Sequence, residues 1–285
     1  VNGLRPARMG TKPVVGDHLI FSAEQRDEFL MVEPEAVEFF RPFIGSREFI
    51  QGVDRYILHL EGVSPARLAR LPLVRERVAA VRKMRAESQK AATRKLADFP
   101  TLYEVKTVPE AVFLALPKVS SERRDYVPFG WLQAPTIPSD LLQVVIGATL
   151  SDFALLTSAM HMSWLRHIGG RLKSDYRYSI GLVYNTFPLP PAADLSKLEP
   201  LAQAVLDARA AHPDATLADL YRVPMPPNLR AAHAALDRAV DRLYRPAGFA
   251  SDRERVEHLF ALYERMVAPL LARPARKRGA RARPA

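Results

Sequence analysis

Two stretches hold most of the polar chemistry of this 285-residue chain. The first, Pro117-Lys-Val-Ser-Ser-Glu-Arg-Arg-Asp-Tyr126, sets Ser120 and Ser121 beside Glu122, Arg123, Arg124 and Asp125, with Lys118 at its edge. Hydroxyls, arginine forks and loop amides are the groups that position phosphates. An exposed, internally ion-paired loop is the plainer reading of the same residues. The second, Gly169-Gly-Arg-Leu-Lys-Ser-Asp-Tyr-Arg-Tyr-Ser179, alternates Lys173, Asp175 and Arg177 with Ser174, Tyr176 and Tyr178. In extended backbone, successive side chains point to opposite faces, so the three charged ones would share a face. A lysine donates to guanine O6 and N7, and an aspartate accepts from cytosine N4. Lys173 and Asp175 together could therefore span one G·C pair. A surface turn held by local ion pairs is the bland alternative.

Other chemistry is excluded or unsupported. The chain has no cysteine, which removes disulfides, thiolate nucleophiles and cysteine-ligated metals. It contains no GxGxxG, no GxxxxGK[ST] and no HExxH, so neither phosphate-cradling loops nor zinc-protease spacing is signalled. His161 and His167 stand six apart, facing different ways on a helix, and read as structural. Ser158 near His161 lacks the strand–turn–helix elbow that exposes a nucleophile. The apolar run Leu141–Leu150 is interrupted by Gln143, Gly147 and Thr149. It is too short to span a bilayer, and no leader pattern opens the sequence.

The elements that must position these residues follow from periodicity. Residues 192–272 read as a helical module. Ser196-x-x-Glu199 and Ser251-x-x-Glu254 are capping-box patterns. Leu229, Ala232, Leu236, Val240 and Leu243 form one apolar stripe, and a last stripe from Val256 ends at Pro269. Residues 1–191 mix types. Glu48–Leu60, with Gly52 at the turn, predicts a β-hairpin. Residues 66–96 predict one long basic helix. Short strands are expected within Ala111–Pro117, Asp125–Leu132 and Leu141–Ile146. A helix capped by Ser151 is expected to run through Ile168. The fold class is α+β, a mixed body followed by a small all-helical module. Net charge is +10. Its distribution matters more than its total: residues 1–191 carry 25 basic and 20 acidic residues, and 192–272 carry 10 and 11. Residues 273–285 carry six basic and no acidic residues, and without apolar periodicity this tail is expected to be disordered.

The segments Pro117–Leu132, Met160–Pro191 and Arg41–Gly62 resemble, motif for motif, the C-terminal part of the MmeI-like type IIL/IIG restriction–modification enzymes, with register kept from about Arg5 to Arg265. These are single-chain DNA adenine-N6 methyltransferases of bacterial defence, many with a fused nuclease. The resemblance implies a target recognition domain over 1–191, a helical C-terminal domain over 192–272 and the basic tail beyond. Catalytic motifs lie upstream in the family. No catalytic residue, metal or cofactor is therefore expected in these residues, and S-adenosylmethionine would be bound by the full-length enzyme. The implied partners are double-stranded DNA and an upstream methyltransferase domain of the same polypeptide, in the bacterial cytoplasm and with no membrane. Lys173, Asp175 and Arg177, with Asp140 and Leu141, are implied to read bases. Arg47, Lys118, Ser120, Ser121, Arg123 and Arg124, with part of the 66–96 helix, are expected on the DNA backbone. A protein-interaction scaffold, and an RNA-binding module using Tyr176 and Tyr178 to stack on bases, stay open as alternatives.

Overall fold

The structure, a computed structural model, describes residues 2–190 and 194–271. The basic tail at 273–285 lies outside the described residues. The chain begins with β1 (Ala7–Met9), β2 (Ile20–Ser22), α1 (Ala23–Val32), β3 (Phe40–Ile44), α2 (Ser46–Gln51) and β4 (Arg55–Leu58). Next come α3 (Pro65–Ala69), α4 (Pro72–Ala86) and α5 (Ala91–Lys95). Strands β2, β4 and β3 pair antiparallel over a core in which Phe21, Phe29 and Phe40 meet edge to face at 5.1–5.7 Å.

Two expectations for this region are corrected. Glu48-Phe-Ile is helical, not the first arm of a hairpin. The Glu48 carboxylate accepts the Gly45 N–H (2.8 Å), and Gly52, at φ 64°, ends the helix in left-handed backbone. A glycine there serves a helix end as well as a hairpin turn, so its presence could not decide between them. Nor is the 66–96 segment one helix. Pro72 opens α4 at its first turn, and Ser88–Lys90 break the chain before α5, because proline ends the preceding helix as readily as it starts a new one.

The second half builds the layer that carries the polar stretches. Strands β5 (Phe113–Pro117), β6 (Val119–Ser120), β7 (Gly130–Leu132), β8 (Ile137–Pro138) and β9 (Leu142–Ile146) lead to α6 (Leu150–Leu156) and α7 (Ala159–Ile168). A hairpin of β10 (Gly170–Leu172) and β11 (Asp175–Arg177) follows. One sheet runs β1-β9-β5-β7 and a second runs β10-β11-β6. Parallel pairing of β3 with β8 attaches the N-terminal sheet to this layer. The predicted helix from Ser151 to Ile168 is two helices. Thr149 caps the first reciprocally with Asp152, and Ser158 caps the second. Ser151 instead donates to Glu199 (2.8 Å), the same glutamate that the sequence pattern paired with Ser196. Ser196 donates to Asp194 two residues before it (2.6 Å), so a tertiary partner took one end of that motif and a local cap the other.

The C-terminal helices are α8 (Glu199–Ala210), α9 (Leu217–Leu220), α10 (Pro227–Tyr244) and α11 (Asp252–Leu271). Pro269 lies inside the last of them, where it removes one backbone hydrogen bond near the end without stopping the helix. Ala202, Val205, Tyr221, Leu229, Leu236 and Val240 share one buried cluster with Leu114, Phe153, Trp164 and Phe187. The largest hydrophobic core therefore draws on both sides of residue 191. The buried face of α10 is not purely apolar: His233, Asp237 and Asp241 lie on it beside Leu229, Leu236 and Val240.

Candidate nucleic-acid interface

The fold brings the two polar stretches together. Strand β6 pairs antiparallel with β11, Ser120 opposite Tyr176 and Val119 opposite Arg177. Ser46 of α2 locks the junction from below. Its hydroxyl donates to the Leu141 carbonyl and accepts the Lys118 N–H (3.0 Å). Arg47, Ser120, Ser121, Arg124, Leu141 and Asp175 consequently line one cleft of about 400 Å³. Six of the eleven predicted residues, drawn from four separate chain segments, thus meet in one place.

Within the cleft the groups differ in freedom. Arg47 and Leu141 are exposed, and Leu141 keeps 43% of its surface accessible. Asp175 is half-buried, and its carboxylate accepts the Glu122 N–H (3.4 Å). Arg124 is half-buried. It donates from one guanidinium nitrogen to the Ser120 hydroxyl (3.4 Å), while its Nε finds no partner among the described residues. Burial lowers the Arg124 pKa from its usual value, partly offset by the charge of Asp175. Ser120 is only 3% exposed. It is part of the cleft wall rather than a reaching contact, which corrects its expected role on the DNA backbone. Arg123 is exposed beside the cleft, and its N–H bonds the Ser121 hydroxyl (3.3 Å).

The three predicted base readers do not share a face as one extended run. Asp175 and Arg177 do, two apart on β11, but Lys173 occupies the hairpin turn at φ 55°. A non-glycine residue rarely adopts that conformation, and alternation of residue types carries no sign of it. Lys173 is exposed at the tip. Arg177 faces a neighbouring cleft of about 430 Å³, together with Lys118 and Gln143. Asp140 is half-buried, and its carbonyl is 3.5 Å from the Lys118 ammonium.

Tyr176 and Tyr178 are 6% and 1% exposed. Tyr178 bonds His161 Nε2 through its hydroxyl (2.9 Å), and burial pushes its phenol well above the ordinary pKa. Neither ring is available to stack on a base, so the feature behind the RNA-binding alternative is withdrawn. His161 is structural. Burial drives its pKa down to about 3, and Ser158 meets its backbone N–H rather than its ring. His167 bonds the Ser163 carbonyl (2.8 Å).

The basic 66–96 segment also divides on inspection. Arg85 is fully buried and donates to the carbonyls of Pro13, Val14, Leu96, Phe99 and Leu102 at 2.8–3.0 Å. Arg67 pairs with Glu35 and Glu38. Arg75, Arg82 and Lys83 remain exposed on α4. Among the described residues, no helix is long and apolar enough to cross a membrane, and no three His, Asp or Glu side chains gather to hold a metal ion.

Comparison with known proteins agrees with this fold. Residues 1–191 match the family model of the MmeI target recognition domain, and residues 190–271 that of the MmeI C-terminal domain. DNA methyltransferase A of Bacillus subtilis (strain 168) is 38% identical over 269 residues, covering 93% of this chain and 30% of that protein. The solved structure of the Type IIL restriction-modification enzyme MmeI in complex with DNA matches with a TM-score of 0.90 at 36% identity. It covers 93% of this chain and 36% of that one. The chain spans well under half the length of either relative.

Proposed function

The chain belongs to the MmeI family, joining its target recognition and C-terminal domains, and from that premise we propose that it reads the sequence of double-stranded DNA for a longer restriction–modification methyltransferase. The observation that carries the reading is the convergence of Arg47, Ser121, Arg124, Leu141 and Asp175 on one cleft beside exposed Lys173, Arg123 and Arg177. Cations and hydroxyls at the rim suit phosphates, which fix register without reading sequence. A carboxylate within a basic surroundings suits a base edge, since against phosphate alone it only repels. Lys173, Asp175 and Arg177, with Asp140 and Leu141, are assigned to bases. Arg47, Lys118, Ser121, Arg123 and Arg124 are assigned to the backbone, helped by Arg75, Arg82 and Lys83.

An upstream domain of the same polypeptide would carry catalysis, with the target adenine turned out of the duplex into it. S-adenosylmethionine would be bound by that upstream domain.

Methylation profiling of the full-length polypeptide tests the assignment. Lys173→Glu combined with Asp175→Arg should change the base pair accepted at one position of the methylated sequence. The expected discrimination is about 1–3 kcal/mol per contact. An unchanged methylated sequence overturns the base-reading role.

A further inference from the structure

The segment from Ser121 to Phe129 is free at one end and fastened at the other. Its first four residues bear the groups assigned to DNA, and their bonds are short-range or reach only Asp175 and Ser120. Its last five residues are gripped from behind by helices. The Tyr126 hydroxyl donates to Asp237 (2.6 Å), whose second oxygen accepts the Ala159 N–H (2.7 Å). His233 stacks on the Tyr126 ring at 4.0 Å and 20°, and its Nε2 bonds Tyr221 (2.8 Å). Arg209 donates to the Phe129 carbonyl (2.7 Å) and to the Tyr221 hydroxyl. Arg166 donates to the Asp125 carbonyl (2.9 Å) and to Asp252 (2.6 Å).

Stability alone does not account for these groups. His233 is fully buried and Asp237 is 9% exposed. Burying a carboxylate is costly, and apolar residues of similar volume would pack a helix at least as well. What a buried polar network supplies instead is a defined geometry, here through every group but His233 Nδ1, which finds no partner among the described residues. Here that geometry is imposed on the loop ending in Arg123 and Arg124, one strand away from Asp175.

We propose that the C-terminal helices are a specificity element, in which Asp237, His233 and Arg209 are positioning residues that hold the 121–129 loop in register with Asp175. The inference rests on the DNA-reading function proposed above. It gives the helical domain a role in target choice without any contact to DNA.

The test uses the full-length polypeptide and equilibrium binding to two duplexes. One carries the sequence found by methylation profiling, and the other differs from it by one base pair. Tyr126→Phe removes a single hydroxyl and keeps the stack on His233. It should reduce the preference between the duplexes about tenfold while binding to unrelated DNA is unchanged. Asp237→Ala should do the same, and Asp237→Asn, which can still face both Tyr126 and Ala159, should restore the preference. Unchanged preference in Tyr126→Phe, with or without a lowered melting temperature, reduces the network to ordinary packing and overturns the proposal. Should Asp237→Ala fail to fold, the Tyr126→Phe result decides alone. If the unmutated polypeptide binds both duplexes and unrelated DNA equally, the DNA-reading function itself fails, a result distinct from a selective parent with an equally selective variant.

Discussion

Tyr176 stands opposite Ser120 in the β6–β11 ladder, and its ring is buried while the next residue, Arg177, is exposed. This single pairing joins two segments far apart in the chain and fixes which side chains of β11 face outward. The ring is covered by Arg171, whose guanidinium lies 4.2 Å from its centroid. Tyr176→Ala should therefore cost about 3–5 kcal/mol of stability, as large-to-small changes of buried aromatics do. Arg177→Ala should stay within about 0.5 kcal/mol, as exposed substitutions do. Urea unfolding of both variants checks the contrast. Equal costs would show that β11 is registered differently.

Arg123 and Arg124 are neighbours with different expected consequences. Arg123 is exposed, so Arg123→Ala should weaken binding to all duplexes alike and reduce the salt dependence by about one counterion. Arg124 is half-buried, with its Nε unpartnered among the described residues and Asp175 in the same cleft. Arg124→Gln should lose a backbone contact too, and by removing the cation beside Asp175 should also alter preference at the base pair that Asp175 faces, besides costing stability. Titrations across a salt series, against matched and single-substituted duplexes, separate the two. Parallel behaviour of both variants would return Arg124 to a pure backbone role.

Element types were legible in the sequence wherever periodicity was long. The stripe beginning at Leu229 became α10, and the apolar runs around Leu114 and Val144 became central strands. Glu48–Gln51 was misread because Gly52 is compatible with both a hairpin turn and a helix end. The two polar segments that supply half of the cleft lining stand out by composition. Their meeting was not legible, because the β6–β11 pairing and the Ser46 bridge to Leu141 and Lys118 are long-range and leave no local pattern. Half-burial of Arg124 and the turn conformation of Lys173 were hidden for the same reason. The polar face of α10 was passed over because His233, Asp237 and Asp241 interrupt a stripe that otherwise reads as ordinary core.

Arg85 shows how charge counts mislead. It sits in a run of ten basic residues, yet five backbone carbonyls surround it in the interior. Lysine has three donors in a different geometry and cannot reproduce that fork. Arg85→Lys should cost about 3 kcal/mol or more, because carbonyls are left buried and unpaired. Arg82→Lys, exposed on the same helix, should be silent. A shift in the urea midpoint for the first variant only is the expected result, and a stable Arg85→Lys would mean that water reaches this site.

Acid should destabilise the fold, and the sign differs among buried groups. Burial drives both His161 and His233 down to about 3. Falling pH protonates them near 6.5 in the unfolded chain but not in the fold, so stability is lost progressively between those values. Burial raises Asp237 to about 6. The fold therefore takes that proton before the unfolded chain does, and stability is gained as pH falls from about 6 toward 4. Two histidines with the larger shifts outweigh one aspartate. The melting temperature should fall below about pH 6, less steeply in His161→Gln and more steeply in Asp237→Asn. A melting temperature flat from pH 7 to 4 would mean that the histidine sites open to water.

The shared core makes a further prediction about where the chain can be cut. Leu198, Ala202, Leu236 and Leu259 on the C-terminal side pack in one cluster with Phe153, Trp164 and Phe187 before it. The Tyr244 hydroxyl also donates to the Pro188 carbonyl (2.9 Å) across the junction. Ending the chain at residue 190 would expose that face of α6 and α7 to water, at roughly 25 cal/mol for each Å² of apolar surface uncovered. It would also strip Asp237 and Arg209 from the 121–129 loop. The truncated chain should bind a hydrophobic dye, lose cooperative unfolding and show no duplex preference, even though every residue assigned to DNA is present. Adding residues 194–271 as a separate polypeptide should restore cooperative melting and preference together. A truncated chain that melts cooperatively and discriminates between duplexes unaided would show that the recognition layer holds its own shape.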